Sequence, residues 1–360
     1  MLQRKDLYTL KKHAIIPIFI PHLGCPNDCC FCNQRSITAR TSAPTSVEVR
    51  QTIETWLSTL SKERRENNTV IEIAFYGGSF TGLELDEQNY YLNVAKQYLD
   101  GGLIDGIHLS TRPDYISDSI LQNLKAHGVS TIEIGVQSFN DEVLLSSNRG
   151  HDSSCVYKAA QLIKDYGFNL GIQLMIGLPQ DSYESCVFSA REAASLKPSL
   201  ARLYPTIVLN DTRLYDMYSS KEYQALSREE AVRRTSAMYR ILTDANIYIM
   251  RVGLKSSDII GDGGAINGGT YHPAFRQLVE GRIMREDIEA ELLKILSATK
   301  ATSTGNRFKV NFYSSPEWFS NMIGNSSENR IYFQEKYPEL NIRFRIDESF
   351  KGSEFAIRFL

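Results

Sequence analysis

A chain of 360 residues can form one large domain, or a large domain with a small companion. Its 42% hydrophobic and 23% charged residues are ordinary globular values, and a net charge of −2 excludes a dominant electrostatic footprint for nucleic acid or an anionic membrane. With no run of about 18 apolar residues, no membrane span is expected, and a cytoplasmic location follows.

From the N-terminus, the short apolar run IIPIFI carries a proline and leads into cysteines rather than a small-residue cleavage site. It reads as a buried first strand, Ala14–Ile20, and not as a signal peptide. Further strand-like runs are Val70–Tyr76, Gly106–Ser110, Thr131–Val136, Phe168–Ile176, Ala201–Ile207 and Ile247–Met250. Amphipathic stretches lie between them, near Val47–Arg65, Glu87–Leu99, Asp118–His127, Asp141–Ser147, Ser153–Tyr166, Ser182–Ser195 and Arg228–Ala245. Ser46, Asp86, Ser117, Asn140, Asp181 and Ser227 are suited to cap them. Strand–helix alternation implies parallel pairing through crossover helices, so an α/β fold is expected, a partial six-unit β/α barrel of TIM-like type. In such barrels chemistry gathers at the C-terminal ends of the strands. A glycine-rich stretch at 261–269 then precedes a helix from Pro273 to Leu296. From about residue 302 a small α/β unit follows, with a helix near Glu317–Ile323. The division expected is a core of residues 1–280 and a C-terminal helix plus α/β unit of 281–360.

Four of the six cysteines fall within eight residues, a distribution unsuited to a disulfide framework and typical of metal binding. Cys25, Cys29 and Cys32 have C-x3-C-x2-C spacing. Three thiolates can hold three irons of a 4Fe–4S cubane and leave the fourth open, as catalysis requires. A structural zinc site completed by His22 or Cys30 is the bland alternative. Position immediately after the first strand of a β/α repeat favours the open cubane. Cys30 reads as a neighbour of the ligands, and Cys155 and Cys186 as buried thiols.

Several motifs carry a family resemblance. CPNDCCFCNQ resembles the radical S-adenosylmethionine (SAM) signature, and FYGGSF, following the second strand, resembles the glycine pair that meets the SAM amino group. HLSTRPDYI, EIGVQSFNDEVLLSSNRGH and IQLMIGLPQD follow at successive strand ends. The middle one is similar to oxygen-independent coproporphyrinogen oxidase from GVQ through FN to NR. That resemblance implies that Gln137 and Arg149 contact SAM, with Arg149 on the methionyl carboxylate. Gln173 stands where that family has a ribose-contacting aspartate. Phe31, Gly77, Gly78, Ser79 and Ser110 complete the implied SAM-binding set. The stretch from Arg202, RLYPTIVLNDTRLYDMYSSKEYQALSREEAV, resembles the radical SAM domain of the Elongator catalytic subunit, and IYIMRVGLKSSD continues the likeness.

The resemblance implies an enzyme that cleaves SAM reductively to a 5′-deoxyadenosyl radical and abstracts hydrogen from substrate, served by a ferredoxin- or flavodoxin-type reductant. An RNA base comes first as substrate; a small molecule or tetrapyrrole comes second, and a non-catalytic metal module is the rival from another class. The 80 residues after position 280 are too few for that subunit's acetyltransferase domain, so acetyl-CoA chemistry is not expected to transfer. On the substrate side, Tyr204, Asp262, Tyr271 and His272 are candidates to face the barrel mouth. The arginines of Arg228–Arg240 read as a solvated face. RFRID and AIRFL in the last unit read as a dimer or nucleic-acid surface.

Overall fold

The computed structural model describes residues 13–20, 29–33, 42–60, 69–254, 266–269, 271–298 and 308–360. Cys25, His22 and Asp262 lie outside the described residues. Strands β1 (His13–Ile20), β2 (Val70–Gly77), β3 (Gly106–Thr111), β4 (Val129–Gln137), β5 (Asn169–Ile176), β6 (Leu200–Pro205) and β8 (Tyr248–Val252) form one parallel sheet in that order. Sequential order with crossover helices gives a curled, open half-barrel. The expected β/α repeat is therefore present, with a seventh strand at its edge.

Alternation along each strand separates two faces. On one, Ile73, Ile107, Ile132 and Ile172 are fully buried beneath the helices, each burial contributing about 1.5–3 kcal/mol. The helices are α1 (Ser46–Thr59), α2 (Leu85–Asp100), α3 (Asp118–Ala126), α4 (Asp141–Ser146), α5 (Ser153–Asp165), α6 (Tyr183–Ser195), α7 (Arg213–Ser219) and α8 (Arg228–Asp244).

Ser117, Asn140 and Ser227 cap their helices as expected. Three caps differ. Thr45, not Ser46, caps α1 in a reciprocal box with Glu48. Ser182, not Asp181, caps α6, because the Asp181 carboxylate is taken by the Gly177 amide at 2.7 Å. Glu84, not Asp86, precedes α2, where Asp86 lies in the first turn and favours the helix through its dipole.

Thr206 separates β6 from β7 (Ile207–Leu209), so the expected single run is divided; β7 pairs antiparallel with β9 (Ile266–Gly269). Helix α9 (Phe275–Ala298) serves two cores. Phe275, Leu278, Val279 and Ile283 join the large one, while Met284, Ile288 and Leu292 join a second. That second core lies under a three-stranded sheet, β11–β10–β12, of β10 (Phe308–Ser314), β11 (Leu340–Ile346) and β12 (Phe355–Phe359). Helices α10 (Phe319–Ile323) and α11 (Glu328–Lys336) connect β10 to β11, the latter unforeseen. Among the described residues no helix is long and apolar enough to cross a membrane.

Candidate active site

The C-terminal ends of β1 to β5 converge on one corner. β1 ends at Ile20, paired with Gly77 at the end of β2. Gly77 has φ +124°, and a Cβ there would lie 2.1 Å from the Ile20 carbonyl oxygen. The Gly78 amide donates to that same oxygen at 3.1 Å. Only glycine permits this approach, and beside it Tyr76, Gly78, Ser79, Phe80 and Ser110, among others, line a small open cleft. Gly77→Ala is expected to cost about 1–3 kcal/mol through backbone strain and to weaken SAM binding, as read by urea unfolding and equilibrium dialysis with labelled SAM. Unchanged affinity would show that the Gly77 turn does not shape the binding pocket.

Cys29 is buried beside this corner. Arg149 Nη1 donates to its sulfur at 3.1 Å, and Arg112 Nη1 approaches it at 3.7 Å. Arg112 is held by Asp114 through two hydrogen bonds of 2.9 and 2.8 Å and donates to the Arg149 carbonyl at 2.5 Å. Two guanidinium groups aimed at one sulfur complement the negative charge of a ligated thiolate. Cys32 is half-buried one turn on, its amide donating to the Cys29 carbonyl at 3.0 Å. Cys30 turns away into a cluster with Val208, Leu214 and Tyr223. Burial, reinforced by Cys29, pushes its thiol up to about 12, a poor state for a metal ligand. Cys186 is likewise buried, donating to Asp181 at 3.1 Å, and Cys155 is half-buried.

A register shift between Gly135 and Gln137 bulges β4 and puts Gln137 at φ +70°, re-aiming its side chain. A Cβ on Gly135 would meet Gln137 Nε2 at 2.8 Å and Arg149 Nη2 at 3.6 Å, so the missing side chain makes room for both. Gln137 Oε1 and Arg149 Nε are buried with no hydrogen-bond partner. Orphaned polar atoms beside a thiolate corner and a glycine cradle suit a polar ligand. Gln173 lies level with Gly135 on the next strand and is half-buried. The structure therefore brings Gly77, Gly78, Ser79, Ser110, Cys29, Gln137 and Arg149 to one end of the sheet. Phe31 instead packs on the Cys30 cluster. Tyr271 packs with Ile207 and Leu209, and His272 Nδ1 accepts from the Ala274 amide at 3.1 Å.

Below the pocket, the inner face of the sheet carries an unforeseen charged chain. Arg202 meets Glu133 at 2.9 Å and Tyr204 at 3.3 Å, hydrogen-bonds the Tyr76 phenol and lies over its ring. His108 stands between Glu133 and Glu72 at 3.6 and 3.7 Å, and His13 meets Glu72 at 2.7 Å. The chain thus fixes Tyr76 at the pocket wall. Tyr204 enters the site here, buried against Arg202.

Burial alone would raise the Glu72 carboxyl; His108 and His13 outweigh it and hold it below the usual carboxylate range. Burial is similarly overcome at Glu133 by Arg202 and His108. Each lowered carboxyl contributes stability that is present above the unfolded value of about 4.3 and lost as pH falls through the folded one. Burial opposes His108 protonation, but Glu133 and Glu72 prevail and raise it; that contribution is full below about 6.5 and fades as pH rises through the folded value. Calorimetry is expected to show an acid limb beginning near about pH 4, flattened in Glu72→Gln. An unaltered limb in that variant would refute the assignment.

The family model of the Radical SAM superfamily matches residues 19–192, and that of the Radical_SAM C-terminal domain matches 198–285. The chain belongs to the radical SAM superfamily. It is an enzyme of that superfamily, whose members use a 4Fe–4S cluster and SAM. The tRNA uridine(34) acetyltransferase of Methanocaldococcus infernus is 26% identical over 267 residues, covering 64% of this chain and 50% of that protein. Elongator complex protein 3 of Schizosaccharomyces pombe is 30% identical over 219 residues, covering 52% of this chain and 40% of that protein. The enzyme thus spans about half the length of the curated relatives it matches. Among solved structures, archaeal Methanocaldococcus infernus Elp3 with an N-terminal deletion superposes with a TM-score of 0.60 at 22% identity, over 78% of this chain and 64% of that one, a likeness of fold.

Arg112 and the inner-face chain were not assigned from sequence. Arg112 stands inside HLSTRPDYI, one of the ordered strand-end motifs, and the TRPD turn was its available signal. His108, Glu133 and Arg202 also open quoted motifs, and Tyr204 was itself a candidate, but their pairing with one another is long-range and only the fold shows it.

Proposed function

We propose that this radical SAM enzyme acts on an RNA base, cleaving SAM reductively and abstracting a hydrogen atom from the nucleoside. Cys25, Cys29 and Cys32 are the proposed cluster ligands, and Gln137, Arg149, Gln173, Ser79, Ser110 and the Gly77–Gly78 backbone the proposed SAM contacts. Held by Cys25, Cys29 and Cys32, a reduced cluster would supply the one electron that reductive cleavage of SAM needs. The chain's own residues do the rest. Arg149, with Nη1 on the Cys29 sulfur and Nη2 on the Gly135 carbonyl, offers its unpartnered Nε to a carboxylate, while Arg112, tethered by Asp114, keeps its charge beside the Cys29 sulfur. Gly77 and Gly78, lacking side chains, let the ligand approach the backbone at the end of β2. Tyr76, held by Arg202, closes the pocket wall against water. A ferredoxin- or flavodoxin-type protein is the proposed electron source.

The carrying observation is the joining of the Cys29–Arg149–Arg112 corner to the Gly77 pocket at the strand ends. RNA is favoured because the relatives named above include a tRNA uridine(34) acetyltransferase. Reconstituted enzyme, dithionite, SAM and bulk tRNA should yield 5′-deoxyadenosine and a modified nucleoside in the RNA digest. Cleavage of SAM without any RNA-dependent change would refute the RNA reading.

A further inference from the structure

The α/β unit of residues 308–360 lies beyond the matched residues, which end at 285. Its sheet has two unlike faces. Val310, Phe312, Leu340 and Ile342 point to the second core, with Phe344 and Ile357 packed against it. Alternation sends Lys309, Asn311, Tyr313, Asn341, Arg343, Arg345 and Arg358 to the other side. Register sets them in rows: Arg343–Asn311–Arg358 and Arg345–Tyr313–Ala356. The Arg358 guanidinium lies 4.5 Å from the Tyr313 ring centroid, on that same face.

The composition of this face is selective. Residues 308–360 carry seven basic and seven acidic side chains, so the unit as a whole is neutral. Four of the seven basic ones stand on the outer strand positions, and no acidic one does. Arg358 meets Asp347 at 3.4 Å at the edge. Among the described residues Lys309, Arg343 and Arg345 enter no ion pair, and all three are exposed. A folded unit gains nothing from gathering like charges across neighbouring strands, which repel. A polyanion reverses that sign. Strands about 4.8 Å apart and alternate residues about 6.6 Å apart spread the cations over a flat patch, with an aromatic ring among them. Basic side chains that track a backbone beside a ring on which a base can stack are the elements of single-strand recognition.

We infer that the outer face of the β11–β10–β12 sheet binds single-stranded RNA, Lys309, Arg343, Arg345 and Arg358 taking phosphates and Tyr313 a base. Choosing RNA over other polyanions rests on the RNA reading of the barrel; the charge pattern does not.

The test uses the full chain and a fluorescent twelve-nucleotide oligouridine, with anisotropy followed against salt. Arg343→Gln/Arg345→Gln/Arg358→Gln is expected to weaken binding at least tenfold and to reduce the salt slope by about two, with an unchanged melting curve and unchanged SAM cleavage. Tyr313→Ala is expected to weaken binding with no change in slope. Wild-type binding that the triple variant retains would overturn the assignment of this face, leaving the barrel's RNA reading intact. Displacement of the oligouridine by poly-glutamate at equal charge would assign the face to an acidic protein and also overturn it.

Discussion

Cys29→Ala is expected to yield a protein that retains no iron–sulfur cluster after anaerobic reconstitution and forms 5′-deoxyadenosine only at background. The sulfur lies buried at the meeting point of Arg149 and Arg112, 3.1 and 3.7 Å away. No neighbouring thiol can replace it, because Cys30 is packed against Leu214 and Tyr223 with its amide and carbonyl engaged by Ser147 and Leu214. Removing the sulfur also leaves two buried guanidinium groups facing one another, a destabilising arrangement. Cys29→Ser keeps a polar acceptor and so separates lost ligation from lost folding. Cys30→Ala is expected to keep the cluster. Iron and sulfide content with electron paramagnetic resonance reads all three. A full cluster in Cys29→Ala would remove this residue from the ligand set.

Arg202→Leu carries the second large effect, expected at about 3–5 kcal/mol of stability by urea unfolding. Glu133 is 1% exposed and Arg202 8%. Truncating the arginine leaves a carboxylate in the sheet interior with His108 at 3.6 Å and the Arg251 charge, but no direct guanidinium partner. The Tyr76 phenol loses its donor as well, so SAM binding should weaken alongside stability. Adding Glu133→Leu should recover part of the loss, since removing both charges relieves the unpaired one. A cost below about 1 kcal/mol for Arg202→Leu would mean that the pair is solvated, in the range of surface ion pairs.

The strands were legible because their outer-face residues, such as Ile73, Ile107 and Ile172, form β-branched runs wherever the chain crosses the core. The cysteine spacing and the Gly77 turn were legible because each is local, three thiols in eight residues and a glycine pair after a strand; of the three, Cys29 and Cys32 lie within the described residues. The inner-face chain was not. His108, Glu133 and Arg202 alternate with apolar neighbours as solvent-facing residues do, and only sheet pairing shows that the face is enclosed and that their charges meet. Helix α11 was missed for a local reason: it starts after Ser326 and Ser327, both at positive φ, with no side-chain cap to mark it. Asp181 looked like a cap but serves the Gly177 turn, a choice that sequence alone leaves open because either role suits a carboxylate.

The most direct test is anaerobic reconstitution followed by titration with SAM. A cluster of about four irons and four sulfides per chain is predicted, whose spectrum shifts on SAM addition and which yields 5′-deoxyadenosine on reduction. A bound zinc ion, or a cluster whose spectrum ignores SAM because the polypeptide fills every metal position, would contradict the assignment.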